Sequence, residues 1–196
     1  MGSYNRKSIM RKAIKTRAFS KAAQKKVINN LRRAKRVMLE EFDSHPVTKE
    51  ISQGSKGINL TKTLGGYGNL FSFIGFNENS NPVEKVRNFL GYWPRIKGKR
   101  VSGNKHYYII SIPDVADFGV VASMPWEMGR SWVEGVETGI SGFGYYMANV
   151  FGKDIKSRSG SAIQIDNRIR SEHYRPTPYL APIIKKLVIA ILAGYK

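Results

Sequence analysis

The sequence predicts an α+β fold: a long N-terminal helix, a small mainly antiparallel sheet with a short inserted helix, and a C-terminal amphipathic helix packed on the sheet. Three observations lead to this prediction. Residues 7–42 contain neither Pro nor Gly. The pattern of residues 99–112 predicts a hairpin. The last helix carries an apolar stripe at helical spacing. The 196 residues suit one domain, with a basic helical arm over 1–42 and an α+β body over 43–196.

The arm is predicted to be one continuous helix over 7–42, although its charges oppose helix formation. Thirteen of the 33 Lys and Arg residues precede Val37, where there is no Asp or Glu, so most of the net charge of +19 is concentrated there. Many of these cations stand four apart, and each such pair is unfavourable by roughly 0.2–0.5 kcal/mol. The cations also crowd the N-terminal end, against the macrodipole. We therefore expect the helix to be frayed until an anionic surface neutralises it.

An excess of positive charge of this size predicts a polyanionic or acidic partner. A merely solvated helix face is the alternative. The partner could be nucleic acid, through its phosphates, or an acidic protein. The arm has few aromatic residues and no known nucleic-acid-binding signature, so sequence-specific recognition is not expected. The expected contact residues are Arg6, Lys7, Arg11, Lys12, Lys15, Arg17, Lys21, Lys25, Lys26, Arg32 and Arg33.

The stretch GGYGNLFSFIGF, at residues 65–76, could be either a phosphate-binding loop or a buried element. It has neither the dinucleotide-binding spacing of glycines nor a following Gly-Lys-Ser/Thr. Its glycines also precede the apolar run, whereas nucleotide loops follow a strand. The stretch is therefore predicted to be a central strand that is apolar on both faces, with Leu70, Ile74 and Phe76 on one face and Phe71 and Phe73 on the other.

Capping residues define a short amphipathic helix after this stretch. Asn81 suits the N-cap, Pro82 the first helical position and Gly91 the exit. Two strands then flank a Gly-Asn turn within residues 99–112, and a third strand is predicted at residues 118–126.

The first and last helices also have boundary signals. His45 precedes Pro46 and should therefore end the N-terminal helix. Thr177 is expected to cap the C-terminal helix and Pro178 to open it. We expect this helix to pack across a sheet or against a neighbouring subunit.

A glycine-rich aromatic stretch between residues 126 and 151 is either core or a subunit surface. Trp132, Val136 and Ile140 stand four apart and indicate a helix, which the nearby glycines weaken by about 1 kcal/mol each relative to Ala. Exposed aromatic patches commonly mark interfaces. The candidate subunit-interface residues are Trp126, Trp132, Phe143, Tyr145, Tyr146 and Phe151.

No catalytic, cofactor or metal site is expected. The chain has no cysteine, and its three histidines lie in unrelated segments without the spacing of metal ligands. Glu134 and Glu137 are interpreted as solvated acids, and Asp114 and Asp117 as acids that satisfy a local turn. No secretory signal and no apolar run long enough for a bilayer are recognised, so an intracellular product without membrane contact is expected.

Five segments resemble virion structural proteins of tailed bacteriophages: HPVTKEI at 45–51, GGYGNLFSFIGF at 65–76, NPVEKV at 81–86, PWEMGRSWVEGVETGISGFGYYM at 125–147 and SRSGSAIQ at 157–164. They are most similar to the small neck, tail-completion or tail-terminator proteins of the head–tail junction. The resemblance implies a homo-oligomeric ring, often sixfold or twelvefold, stacked around the DNA exit channel of the virion after assembly in the host cytoplasm. It also implies adjacent neck or tail proteins as partners and no catalytic residues.

In such a ring the basic arm would dock on an acidic neighbour or meet the packaged DNA. A fully helical arm of 36 residues would extend about 54 Å. Two other functions remain open at this point. One is a nonspecific DNA-binding or packaging accessory protein, which predicts steeply salt-dependent binding to duplex DNA. The other is an unrecognised hydrolase, which predicts a concave pocket with a perturbed acid–base pair.

Overall fold

The computed structural model describes residues 6–64, 68–103, 105–125, 129–139 and 176–194. Within these ranges the chain is mixed α+β with a long N-terminal helix, which confirms the predicted fold class. The elements are α1 Arg6–Ile14, α2 Arg17–Ser44, α3 Pro46–Ser52, α4 Leu70–Ile74, α5 Pro82–Tyr92, β1 Arg95–Ser102, β2 Lys105–Ser111, α6 Trp132–Thr138 and α7 Leu180–Ala193.

The N-terminal segment forms two helices, so the prediction of one continuous helix is wrong. Thr16 has an extended backbone, and its Oγ1 accepts a hydrogen bond of 3.3 Å from the Phe19 amide as the N-cap of α2. The same hydroxyl donates to the carbonyl of Ala13 at 2.7 Å. His106 Nε2 lies 3.0 Å from the carbonyl oxygen of Ile14, at the end of α1. A capping residue and a long-range contact therefore fix the break.

Helix α2 forms the centre of the core. From Val27 onward it buries an apolar stripe, Val27, Leu31, Ala34, Met38 and Phe42. The predicted division between arm and body at residue 42 stays a prediction, but the second half of α2 packs as part of the body. The helix ends at Ser44, where His45 is extended before Pro46, as predicted.

The C-terminal helix α7 packs on α2, and the prediction that it packs on the sheet is wrong. Its buried stripe faces the stripe of α2, and Asn30 Nδ2 donates to the carbonyl of Gly194 at 2.7 Å. The two-stranded sheet is small, whereas α2 offers a long apolar surface. The buried residues of α7 are Leu180, Ile183, Leu187 and Ile191.

The apolar run within residues 65–76 is the short helix α4, so the predicted central strand is wrong. Asn69 caps it, its Oδ1 accepting from the Ser72 amide at 2.9 Å, and Gly75 ends it at a φ of 81°, the left-handed region that favours glycine. A short helix buried on all sides has the same continuous apolar pattern as a buried strand. Its buried side chains are Leu70, Phe71, Phe73 and Ile74.

The predicted hairpin is confirmed, and the third strand is not. Strands β1 and β2 pair antiparallel, with a bulge between Ile96 and Gly98. Residues 118–126 were predicted to be a strand, but a 3-10 turn at Val115–Gly119 occupies the start of that range. Downstream, Ser123 forms an isolated β-bridge with Ser131, and this pairing does not extend into a ladder of several residues. The sheet of the described residues therefore has two strands.

The short helix α5 begins at Pro82 with Asn81 as its cap, as predicted. It continues one residue past Gly91. No helix in the described ranges is long and apolar enough to cross a membrane.

The predicted cap of α7 at Thr177 is wrong, because the cap comes from another helix. Glu137 Oε1, on α6, accepts from the amide of Tyr179 at 3.1 Å and from the amide of Ala181 at 2.6 Å. The helix begins at Leu180, and Pro178 lies before it. Glu137 is therefore not the freely solvated acid that its sequence context suggested.

Candidate functional site

Ten of the eleven predicted contact residues of the arm have side chains that the structure describes. None of these ten makes an ion pair with another described residue; the next ion pair along the chain joins Arg36 to Glu40 at 3.8 Å, with both side chains largely exposed. Lys7 lies in α1. The other ten are all exposed: Arg6, Arg11, Lys12, Lys15, Arg17, Lys21, Lys25, Lys26, Arg32 and Arg33.

The hairpin supplies a second group of cations that the sequence analysis missed. Residues 95–111 contain five Lys and Arg and no Asp or Glu, a signal that a count along the strands would have found. The hairpin and residues 1–36 together hold 18 of the 33 cations and none of the 14 acids. The rest of the chain is left with 15 cations against 14 acids and is nearly neutral. The hairpin cations are Arg95, Lys97, Lys99, Arg100 and Lys105.

The structure brings these two groups of cations together at the break between α1 and α2. Besides the contact of His106 with Ile14, the His106 ring lies 5.4 Å from the ring of Phe19, centroid to centroid. Lys99 Nζ donates a hydrogen bond to Ser20 Oγ. The inner face of the hairpin is thus fixed against the end of α1 and the first turn of α2, where Lys15 and Arg17 are exposed.

The two faces of β2 differ in burial. His106, Tyr108 and Ile110 point toward the helices and are partly buried, whereas the alternate residues Lys105, Tyr107 and Ile109 are exposed. On the exposed face Arg100 stands opposite Tyr107 in the register. Its guanidinium carbon lies 5.6 Å from the centroid of the Tyr107 ring, within the range of a cation–π contact. The outer face of the hairpin therefore combines positive charge with aromatic surface.

The prediction that Trp132 contacts another subunit is wrong. Its side chain is 1% exposed and packs edge-on against Phe76, with 5.7 Å between ring centroids. The core of this chain alone accounts for its burial. The other predicted interface residues lie outside the described part of the chain: Trp126, Phe143, Tyr145, Tyr146 and Phe151.

Other apolar side chains are exposed instead. Val120 is 90% exposed and lines a groove together with Phe89 and the exposed Tyr92. On α7, Ile189 and Leu192 are exposed, at 57% and 64%, on the side away from the buried stripe. These two apolar patches lie on different elements of the fold.

The described residues contain no group of three acids or histidines placed to hold a metal ion. The two grooves beside α5 are lined by neither a carboxylate nor a histidine. Asp114 and Asp117 form a capping box at the 3-10 turn, so their carboxylates bond to local amides as predicted.

His45 links the end of α2 to the start of α3. Its Nδ1 accepts a hydrogen bond of 3.3 Å from the Val47 amide, and its ring lies 5.0 Å from the ring of Tyr179. Burial lowers the pKa of His45, and a hydrogen bond to the backbone of Pro178 opposes that shift in part. Only the neutral ring can keep the Nδ1 bond, since a protonated imidazole has no acceptor.

We therefore expect the free energy of unfolding to decrease as the pH is lowered below 6.5, the ordinary pKa of the imidazole. Because the folded-state pKa lies lower, the unfolded chain binds the proton more tightly and is favoured as pH falls through that window. The replacement His45→Asn keeps a capping side chain without the titration. Urea unfolding of both proteins between about pH 5 and 7.5 measures the difference. Parallel pH profiles for the two proteins would show that His45 carries none of the dependence.

No family model matches the chain. Neither a curated protein nor a solved structure matches it.

Proposed function

We propose that this chain is a structural virion protein of a tailed bacteriophage. In this proposal it is one subunit of a ring at the head–tail junction, as a neck, tail-completion or tail-terminator protein. Its cationic surface docks on an acidic neighbouring protein or on DNA. The segments that resemble such proteins support the virion assignment, and the electrostatics of the described residues support the docking.

The observation that carries the proposal is the cationic surface formed by α1, the start of α2 and the hairpin. The cations of this surface whose side chains the structure describes are exposed, and they have no acidic partners among the described residues. A surface of this kind repels itself at low ionic strength. A polyanion on a neighbouring molecule would neutralise it, which accounts for a charge distribution that does not stabilise the isolated chain.

Ring formation is supported by the two exposed apolar patches, one around Val120 and Tyr92 and one at Ile189 and Leu192. A ring needs two different surfaces on each subunit, and the contact repeats until the rotation closes. Repulsion between cationic subunits opposes this contact, so we expect assembly to depend on salt or on a neutralising polyanion.

A second candidate function is a nonspecific DNA-binding or packaging accessory protein. The hairpin favours it, because an exposed ribbon that carries cations and a tyrosine suits a nucleic acid without any ring. The two candidates differ in whether the chain forms a closed assembly.

The mass of the assembly that the full chain forms, measured by light scattering, tests the proposal, and electron micrographs show whether the assembly is a closed ring. We expect discrete rings at high salt or after addition of a polyanion. The replacements Val120→Glu and Leu192→Glu should each return the protein to monomers, because each places a charge in an apolar contact. Ile58→Glu is the matched control, since Ile58 is 67% exposed, close to the 64% of Leu192, but lies in neither patch.

A chain that stays monomeric at high salt and with a polyanion would contradict the ring. Rings that survive both patch replacements would show that subunits join through other surfaces. Polymers of undefined length on DNA, without closure, would favour the accessory protein.

A further inference from the structure

We propose that the outer face of the β1–β2 hairpin, together with the cations at the break between α1 and α2, binds the phosphate backbone of duplex DNA. The inference deepens the proposed function: it rests on the cationic surface of that proposal and names DNA, not an acidic neighbouring protein, as its partner. The outer face consists of Arg100, Lys105, Tyr107 and Ile109.

The register places these four side chains on one side of the ribbon. Lys105 and Tyr107 are two residues apart on β2, so they point the same way and stand about 6.8 Å apart along the strand. Arg100 lies across from Tyr107, and Gly98 lies across from Ile109. Because Gly98 has no side chain, the ribbon presents Ile109 and the Arg100–Tyr107 pair without another bulky group between them.

The hairpin is held in place before any ligand binds. The inner-face contacts of His106 with Ile14 and of Lys99 with Ser20 fix it against the helices. This anchoring sets the hairpin cations beside Lys15 and Arg17 of the helix break. Cations from two distant parts of the sequence are therefore held near the same junction before binding, with little ordering left to do when a ligand binds.

Charge favours DNA over an acidic protein surface. Neither contributing segment contains a carboxylate, and duplex DNA carries one negative charge per about 1.7 Å of its axis. The exposed Tyr107 and Ile109 point to the same partner, because sugars and thymine methyl groups offer apolar contacts between phosphates. Against a surface of carboxylates these two side chains would face only charge.

Shape is also consistent with a duplex. Within the described ranges the sheet has two strands, about 4.8 Å apart, and the major groove of about 12 Å admits a two-stranded ribbon. Gly103, at a φ of 58°, turns the chain tightly at the tip, so the end of the ribbon stays narrow. The outer face and the tip can therefore follow a groove edge while the inner face remains on the helices.

The test compares two double variants of the full chain that have the same net charge. Arg100→Gln with Lys105→Gln removes two cations of the proposed surface. Lys49→Gln with Lys185→Gln removes two exposed cations on α3 and α7. Fluorescence anisotropy measures binding to a short labelled duplex of mixed sequence over a series of salt concentrations. A third variant, Tyr107→Ala, tests the uncharged contact.

For the hairpin pair we expect the slope of log K against log salt to become shallower by about 2, because each phosphate that the protein no longer neutralises reduces the slope by about 0.9. The control pair should keep the slope of the unmodified protein. Tyr107→Ala should weaken binding at every salt concentration without changing the slope, because it removes no charge.

An equal decrease of the slope in the two double variants would overturn the proposal, since binding would then depend only on the net charge of the protein and not on the position of the cations. Competition by polyglutamate of matched charge that is as effective as unlabelled duplex would overturn it in favour of an acidic polypeptide. The mass of each variant, measured in parallel, separates this inference from the ring. Loss of DNA binding by the hairpin variant with intact rings supports both proposals. DNA binding that depends on the hairpin cations, in a protein that forms no rings, supports the inference and contradicts the ring.

Discussion

Replacement of Trp132 by Ala is expected to lower the free energy of unfolding by about 3–5 kcal/mol, the range for deletion of a large buried aromatic side chain. Trp132 is 1% exposed and contacts the rings of Phe76 and Tyr179. The shortened side chain would leave a cavity among rigid aromatic neighbours that cannot collapse to fill it. Urea unfolding followed by circular dichroism measures the loss.

The same experiment separates a core residue from an interface residue. If Trp132 belongs to the core, the loss is the same at low and high protein concentration, because no association is involved. Tyr107→Ala is the control, since Tyr107 is an exposed aromatic residue outside both apolar patches, and it should cost far less. A loss of stability that appears only at concentrations where the protein self-associates would mean that Trp132 is an interface residue.

Replacement of Glu50 by Ala is expected to lower the free energy of unfolding by about 2–6 kcal/mol, because one buried and one partly buried amide lose their acceptors at about 1–3 kcal/mol each. Glu50 is 0% exposed, and its two carboxylate oxygens accept from different amides. Oε2 binds the Thr61 amide at 2.7 Å, and Oε1 binds the Leu70 amide at 2.8 Å. One side chain on α3 thus holds both Thr61 and the start of α4.

Hydrogen exchange at the Thr61 and Leu70 amides locates the effect of the Glu50 replacement, and urea unfolding gives its size. Glu50→Gln keeps one acceptor oxygen and should therefore lose less stability than Glu50→Ala. Glu40→Ala removes an exposed carboxylate of α2, and its free energy of unfolding should stay close to that of the unmodified protein. Unchanged exchange at both amides in Glu50→Ala would mean that the carboxylate does not hold these segments.

Elements whose signals are local could be predicted from the sequence. The helix α5 begins at Pro82 because Asn81 caps it, and α2 ends where His45 meets Pro46. The hairpin follows from two runs of strand-forming residues around a Gly-Asn turn. Each of these signals acts over a few residues, so no tertiary information was needed to find it.

Elements whose cause is distant could not be predicted in the same way. The cap of α7 comes from Glu137, more than forty residues before the helix begins, so the local candidate Thr177 was misleading. The break at Thr16 depends partly on His106 of the hairpin. For α4 the apolar pattern fits a helix and a strand equally, and only the caps Asn69 and Gly75 distinguish them.

The candidate site was predicted in part. The arm cations follow directly from the absence of acids before Val37. The sequence does not show that Lys99 reaches Ser20, and so it does not show that helix and hairpin cations share one surface. An aromatic-rich composition suggested Trp132 as an interface residue, but composition does not distinguish a buried tryptophan from an exposed one.

The uneven distribution of cations gives the molecule a large permanent dipole moment. Because the segments outside the hairpin and residues 1–36 are nearly neutral, the positive pole lies at α1, the start of α2 and the hairpin. On a negatively charged support such as mica the protein should adsorb in one preferred orientation, with that pole toward the mineral. Images of the adsorbed layer would then show aligned molecules.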